Sequence, residues 1–288
     1  MGIWASIDGR VVPHEDAKVS AFDNGFAFGD SVYETLRTYA GRPFVLGRHL
    51  ARLRRSTGRL GFGIPLADEE LRARVAAPLE RAQNAESYIR MIVSRGVGDL
   101  SYHFDRVVGP TVVVLVKPLE PFVEAHFSDG IPVALVSVRR NSPRAVDPAI
   151  KASSLLNNVL ATMEAQKSGG FEAILLNEHD QIAEGAGSNV FIVKDGTLRT
   201  PPLDAGILQG ITRELVFEIA ASQGVPVRQD PLRAEDLLGA DEAFITSTLK
   251  EVMAIARVND RPIGGGRQGP ITARLHAAYR EQTRAHVD

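Results

Sequence analysis

The stretches of this chain that suit a β-strand are short, numerous and unevenly spaced, and that spacing limits the fold more than any other feature. Residues 88–95 and 111–117 carry the densest β-branched and apolar patterns. The second is almost continuously Val and Leu, as in a strand covered on both faces. Helical patterns fall between strands at irregular intervals. Regular strand–helix alternation would predict a doubly wound parallel sheet, and its absence predicts an α+β fold. The pattern breaks at Pro118, Pro121 and a polar run ending at Asp129-Gly130. Two domains are therefore expected: a smaller one over residues 1–117, a linker over 118–129 and a larger one over 130–288.

Within the first domain, residues 3–13 read as a hairpin turning at Asp8-Gly9. Residues 31–39 read as a strand ended by Gly41-Arg42-Pro43. Helices are expected over 49–60 and over 68–82, where Asp68, Glu69 and Glu70 suit the positive end of the helix dipole. The second domain predicts a strand over 131–139 and a helix over 153–168 that stops at Gly169-Gly170. Strands at 172–177, 188–193 and 197–200 follow. A helix over 210–223, strands at 244–247 and 252–258, and a last helix over 270–285 complete the pattern.

Composition excludes several classes. The chain has no cysteine, so disulfides, thiolate metal sites and cysteine nucleophiles are ruled out. A net charge of −2 does not suit a general binder of nucleic acid or anionic membrane. No apolar run approaches the roughly 20 residues a membrane span needs. The N-terminus lacks the basic and apolar pattern of a signal peptide. A cytoplasmic protein without a bound metal is expected.

Four places carry candidate chemistry. Lys151 follows a proline-rich approach and is expected just before a helix, where rigid backbone would hold its amine. A lysine that attacks a carbonyl needs such positioning. Glu184 precedes small residues and then a strand, in Glu184-Gly185-Ala186-Gly187-Ser188-Asn189-Val190-Phe191. Small residues let a flat ring approach the backbone, and a carboxylate beside a pyridine nitrogen keeps it protonated. Gly210 precedes a helix whose first amides, at Ile211 and Thr212, suit a phosphate. The hydroxyl-rich turn Thr246-Ser247-Thr248-Leu249 suits phosphate or a substrate carboxylate. Taken singly, each has an ordinary alternative: a solvated lysine, a turn glutamate, a capped helix, and a turn whose hydroxyls bond their own backbone.

Their order is what carries information. With Lys151 ahead of the Glu184–Phe191 motif and of Gly210-Ile211-Thr212-Arg213, the chain resembles the class IV aminotransferases, the fold-type IV pyridoxal-phosphate enzymes. The resemblance covers Phe22 to about Val258. It implies that Lys151 joins pyridoxal 5′-phosphate as a Schiff base and shuttles a proton between the substrate Cα and the cofactor C4′. It implies that Glu184 partners the pyridine nitrogen. It places Ser188, Asn189, Ile211, Thr212, Ser247 and Thr248 around the cofactor. Arg52, within His49-Leu50-Ala51-Arg52-Leu53, matches an arginine that binds the phosphate, which a guanidinium suits.

The substrate is expected at the first domain. Alternation puts Tyr33, Thr35 and Arg37 on one strand face, offering a phenol, a hydroxyl and a cation. Arg90, in Tyr88-Ile89-Arg90, and Leu249 complete the set. Branched-chain aminotransferases are similar at Glu34, Arg37 and Tyr88-Ile89-Arg90 but usually have Gly where Thr35 stands. Aminodeoxychorismate lyases have threonine there, together with an arginine in the loop after Arg95-Gly96 that this chain lacks. D-Amino-acid transaminases trap the substrate carboxylate with an Arg and a His in that loop, where this chain has Leu100 and Tyr102. Leu156 replaces a tyrosine usual in branched-chain enzymes, and the 151–160 run is closer to the D-amino-acid and lyase branches. The reading adopted is an aminotransferase acting on branched-chain or broader L-amino acids and 2-oxo acids. D-amino-acid or (R)-amine transamination and 4-amino-4-deoxychorismate lysis are its alternatives. The resemblance also implies a homodimer with active sites at the domain interface.

Overall fold

The computed structural model describes residues 2–285. The chain is α+β, with two sheets that belong to two compact units. The first unit takes the described residues 2–120, 150–154 and 283–285. The second takes 121–149 and 155–282.

In the first unit a six-stranded sheet runs β2-β1-β6-β5-β3-β4. Its strands are β1 (Trp4–Ile7), β2 (Arg10–Pro13), β3 (Ser31–Tyr39), β4 (Arg42–Pro43), β5 (Ser87–Ser94) and β6 (Thr111–Pro118). Every pairing is antiparallel. A short helix, α1 (Asn24–Phe28), precedes β3, and two longer ones, α2 (Leu46–Arg59) and α3 (Asp68–Ala82), follow β4. Along β3 the odd positions from Tyr33 are half-buried, whereas Val32, Glu34, Leu36 and Thr38 are buried. The buried row joins Leu50 and Leu53 of α2, Leu71 and Val75 of α3, and Ile89, Met91 and Val93 of β5 in one core. Truncating a side chain such as Leu53, which has no exposed surface, to alanine would cost about 2–5 kcal/mol.

The second unit holds a nine-stranded mixed sheet, with a main path β12-β11-β10-β13-β14-β7-β8-β9 and β15 attached to β14. Its elements in chain order are α4 (Ala125–Ser128), β7 (Ile131–Leu135), α5 (Leu156–Lys167), β8 (Glu172–Leu176), β9 (Ile182–Gly185), β10 (Asn189–Lys194), β11 (Thr197–Thr200), α6 (Ile211–Ser222), β12 (Val227–Gln229), α7 (Ala234–Leu238), β13 (Glu242–Ser247), β14 (Glu251–Val258), β15 (Arg261–Pro262) and α8 (Pro270–Ala285). Strands β8, β10, β13 and β14 are buried almost throughout, which matches their largely apolar sequences.

Several sequence expectations differ from the structure, among them the helix expected over 49–60, which begins at Leu46. The strand expected over 131–139 ends at Leu135; beyond it Glu164 of α5 takes the amides of Ser137 and Val138 out of the ladder. Strand β9, which holds Glu184, was not expected. The helix expected from 153 starts at Leu156, because residues 151–153 are extended and bond to β3. Among the described residues no helix is long and apolar enough to cross a membrane, and none of the clusters of acidic or histidine side chains could hold a metal ion.

Candidate active site

Lys151 owes its position to a sheet edge. Strand β4 pairs only with Thr38 and Tyr39, so the edge of β3 is uncovered at its start. The 151–153 segment takes that edge. Tyr33 N donates to Lys151 O (2.9 Å), Ser153 N donates to Ser31 O (2.8 Å), and Val32 bridges Ala152. Lys151 N donates to Ser56 Oγ of α2 (3.2 Å). The backbone on both sides of the lysine is thereby fixed, and its Nζ lies 4.4 Å from the centre of the Tyr33 ring. Among the described residues no carboxylate pairs with that amine. A half-buried amine held over an aromatic face, with no counter-ion, is poised to react with a carbonyl rather than to stabilise the fold.

The half-buried face of the same sheet carries the expected substrate residues. Thr35 stands opposite Arg90 and Arg37 opposite Tyr88 across β3 and β5. The Arg90 guanidinium lies 4.0 Å from the Tyr33 ring centre, so Tyr33 is flanked by two cations. Arg37 lies over Tyr39 at 4.1 Å, and Lys117 over Tyr88 at 5.4 Å. Arg90 and Lys117 are held in this way with no carboxylate partner among the described residues, which leaves a positive surface suited to carboxylates.

Arg52 lies on the other side of β3. Its Nε and Nη2 donate to Glu34 Oε1 and Oε2, both at 2.7 Å, and His49 Nδ1 meets Glu34 Oε2 at 2.7 Å. Burial alone would raise the Glu34 pKa, but the Arg52 charge and the hydrogen bonds from Arg52 and His49 outweigh it and hold the carboxyl at about 2. Burial pushes His49 below its ordinary value, against the pull of Glu34. His49 is thus neutral, with Nδ1–H donating to the carboxylate. Glu34 and His49 were not among the expected site residues. Two signals point to them: a carboxylate in the apolar row Val32, Glu34, Leu36, and a His–x–x–Arg spacing that puts 49 and 52 on one helix face.

In the second unit Glu184 is buried and anchored on several sides. Leu208 N donates to its Oε2 (3.0 Å), and Asn189 Nδ2 reaches the same oxygen (3.3 Å) and Leu208 O (3.0 Å). Arg140 Nε lies 2.9 Å from Oε1 as an ion pair, without the alignment of a straight hydrogen bond. Arg140 was missed in the sequence, because its partner is far along the chain. A Cβ at Gly185 would stand 2.2 Å from Ser188 Oγ, and one at Gly210 1.9 Å from Asn189 Oδ1. Only glycine fits at either place, so the small residues serve close packing of polar atoms around Glu184.

Gly210 opens α6 with no side-chain cap, although Ile211 and Thr212 are buried there. Buried, uncapped amides at a positive helix end fit a phosphate. Ser188 Oγ donates to Glu172 Oε2 (3.2 Å), and Ser247 Oγ accepts from Lys250 N (3.1 Å). Thr248 and Leu249 are half-buried in the same turn. Lys151, Tyr33, Thr35, Arg37, Arg52 and Arg90 thus belong to the first unit. Glu184, Ser188, Asn189, Ile211, Thr212, Ser247, Thr248 and Leu249 belong to the second.

Comparison with known proteins agrees in kind. The family described as amino-transferase class IV matches residues 31–258. A putative branched-chain-amino-acid aminotransferase of Methanocaldococcus jannaschii is 39% identical over 96% of this chain and 94% of its own length. A D-alanine aminotransferase of Listeria monocytogenes is 34% identical, over 96% and 94% respectively. The crystal structure of the branched-chain amino acid aminotransferase from Thermobaculum terrenum in its PLP form superposes with a TM-score of 0.86 at 29% identity, covering 99% of this chain and 94% of that one. The match spans both units and the motifs that hold Lys151 and Glu184, and the chain belongs to the class IV aminotransferase family.

Proposed function

We propose that this aminotransferase works with pyridoxal 5′-phosphate and moves an amino group from a branched-chain or broader L-amino acid to a 2-oxo acid. The observation that carries the reading is the Lys151 amine, fixed by the β3 edge over Tyr33 with no carboxylate partner among the described residues. The site residues fit the cofactor. Glu184, buried and anchored, suits a protonated pyridine nitrogen. The uncapped start of α6 and the Thr248 hydroxyl suit its phosphate, and Arg52 adds a guanidinium for that dianion. The relative solved in its PLP form supports the choice of cofactor.

When bound, the cofactor supplies an electron sink for the charge left at the substrate Cα. This chain's residues do the remainder. Lys151 Nζ would take the Cα proton and later give it back, acting as general base and then general acid. Glu184 keeps the pyridine nitrogen protonated. Arg37 and Arg90 attract the substrate carboxylates, and Tyr33 limits where they settle. Donor and acceptor use the site in turn, so kinetics are ping-pong.

Borohydride reduction of cofactor-saturated protein followed by peptide mapping tests the central claim. The label is expected on Lys151, and an unmodified Lys151 refutes the mechanism. A donor screen tests the substrate: L-leucine, L-valine, D-alanine, (R)-phenylethylamine and aminodeoxychorismate, each followed by change in visible absorbance. L-leucine is expected to act. The likeness to a D-alanine aminotransferase keeps D-alanine in the screen. Leu100 and Tyr102, at the positions of the D-enzyme carboxylate trap, argue against it. Activity with D-alanine alone would reverse the preference.

The functional form is a homodimer in this reading. Phe26 is 72% exposed and Val108 90%, and Phe22, Tyr102 and Phe104 are also exposed, an apolar surface suited to a second copy of the chain. Light scattering at micromolar concentration is expected to give twice the chain mass, and a monomer there would overturn the assignment.

A further inference from the structure

Two turns of the second unit carry polar atoms assigned above to cofactor and substrate. One is residues 186–188, between β9 and β10. The other is residues 248–250, between β13 and β14. The sheet itself does not fix their separation. The β10–β13 and β13–β14 ladders end where Asn189 faces Thr246 and where Ser247 faces Glu251, so the two turns do not pair with each other, although Ser188 bridges Gly185 and Ala186 N donates to Ala173 O of β8 (3.0 Å).

Glu172, the first residue of β8 and 5% exposed, ties them together. Its Oε1 accepts from Gly187 N (3.3 Å), and its Oε2 accepts from Ser188 Oγ (3.2 Å) and from Lys250 Nζ (2.5 Å). Lys250 N donates to Ser247 Oγ (3.1 Å), which closes the second turn around the root of the same lysine. A Cβ on Gly187 would lie 3.5 Å from Lys250 Nζ, so the lysine side chain crosses directly beside the first turn. One carboxylate thereby binds the backbone and hydroxyl of one turn and the ammonium of the other. A largely buried ion pair gains little net stability over apolar packing, but it holds its partners at a set distance.

We infer that Glu172 and Lys250 are positioning residues, which set the spacing between the 186–188 and 248–250 turns and so the fit of the anionic groups held there. The inference rests on the proposed reading of the 247–249 turn as a binder of phosphate and substrate carboxylate. Neither residue takes part in proton transfer, so their loss weakens binding before it slows chemistry.

Lys250→Met keeps side-chain length and removes the charge, and Lys250→Arg is the conservative rescue. Apo-protein is titrated with pyridoxal 5′-phosphate by visible absorbance, and steady-state kinetics are measured with L-leucine and with D-alanine. For Lys250→Met we expect half-saturation by the cofactor and KM for the active donor each to rise about tenfold, with kcat within about threefold of the parent. Lys250→Arg is expected to recover most of both. Glu172→Gln, which keeps the shape of the acceptor, is expected to repeat the pattern and serves if the methionine variant fails to fold. Binding constants within about twofold of the parent, or a loss confined to kcat or to melting temperature, would overturn the inference. A coloured, active parent with variants that match it removes only this inference. A parent with neither colour nor turnover removes the proposed function, and this inference with it.

Discussion

Glu34 and Glu184 are both buried carboxylates that face an arginine, one in each unit, and they are held in different ways. Glu34 meets two cationic or imidazole partners on one element, α2, with Arg52 bidentate and His49 beside it. Glu184 takes a backbone amide, a side-chain amide and an arginine from three separate stretches of chain. Strength and direction are separated by this contrast. The first arrangement locks a charge inside the core and aims Arg52. The second orients a carboxylate from several sides, as a group that must meet a ring needs. Removal of the first charge should therefore appear chiefly in stability, and removal of the second chiefly in rate.

The largest effect expected on that comparison is catalytic. Glu184→Gln keeps the size of the side chain and removes the charge proposed to hold a pyridine proton. Turnover should fall about 100-fold or more, and the loss of stability should be smaller than that of Glu34→Gln, because the Arg140 side chain is less buried than Arg52. Parallel kinetics and thermal melts check it. A large loss of stability with turnover preserved would reverse the roles given to the two carboxylates.

How far these roles were legible in the sequence differs between them. Glu184 stood in a motif whose small residues and following strand were local features, and the structure explains them through Gly185 and Gly210. Its Arg140 was not legible, because no short-range pattern ties a residue after β7 to one in β9. Glu34 was named only as part of a likeness, although its place between Val32 and Leu36 marks it as buried. Helices α3 and α8 were read to their ends, since acidic residues or a proline mark their starts. The setting of Lys151 differs from the helix start expected there. It depends on pairing with a strand far earlier in the chain, a contact that periodicity cannot reveal.

The next effect is on stability. Glu34→Gln leaves Arg52 and His49 buried without their anion, and should destabilise the protein by about 3 kcal/mol or more in urea unfolding. Its pH dependence sharpens the test. The folded pKa is about 2 and the ordinary value 4.5, so the unfolded chain binds the proton more readily. The contribution of Glu34 is present above about pH 4.5 and is lost as pH falls toward 2, by about 3 kcal/mol in total. His49, also lowered, acts in the same direction starting near its ordinary 6.5. Stability measured from pH 7 to 3 should fall more steeply in the parent than in Glu34→Gln. Parallel curves would mean that Glu34 does not carry the charge assigned to it.

The smallest effect expected lies on the face of β3 turned away from Glu34. Arg90 contacts Tyr33 through its ring and stands opposite Thr35. Arg90 is held against an aromatic face, and such a cation keeps its charge for a ligand. Arg90→Leu should leave folding within about 1 kcal/mol of the parent, because a half-buried cation–aromatic contact contributes little more. It should raise KM for the 2-oxo acid acceptor about tenfold and leave kcat nearly unchanged, the mark of binding shared by ground and transition states. A dicarboxylic acceptor should suffer more than a monocarboxylic one, since it has a second anionic group to lose. Equal KM values for parent and variant with both acceptors would show that the cations of this face serve the sheet rather than the substrate, and the contrast between the two sides of β3 would fail.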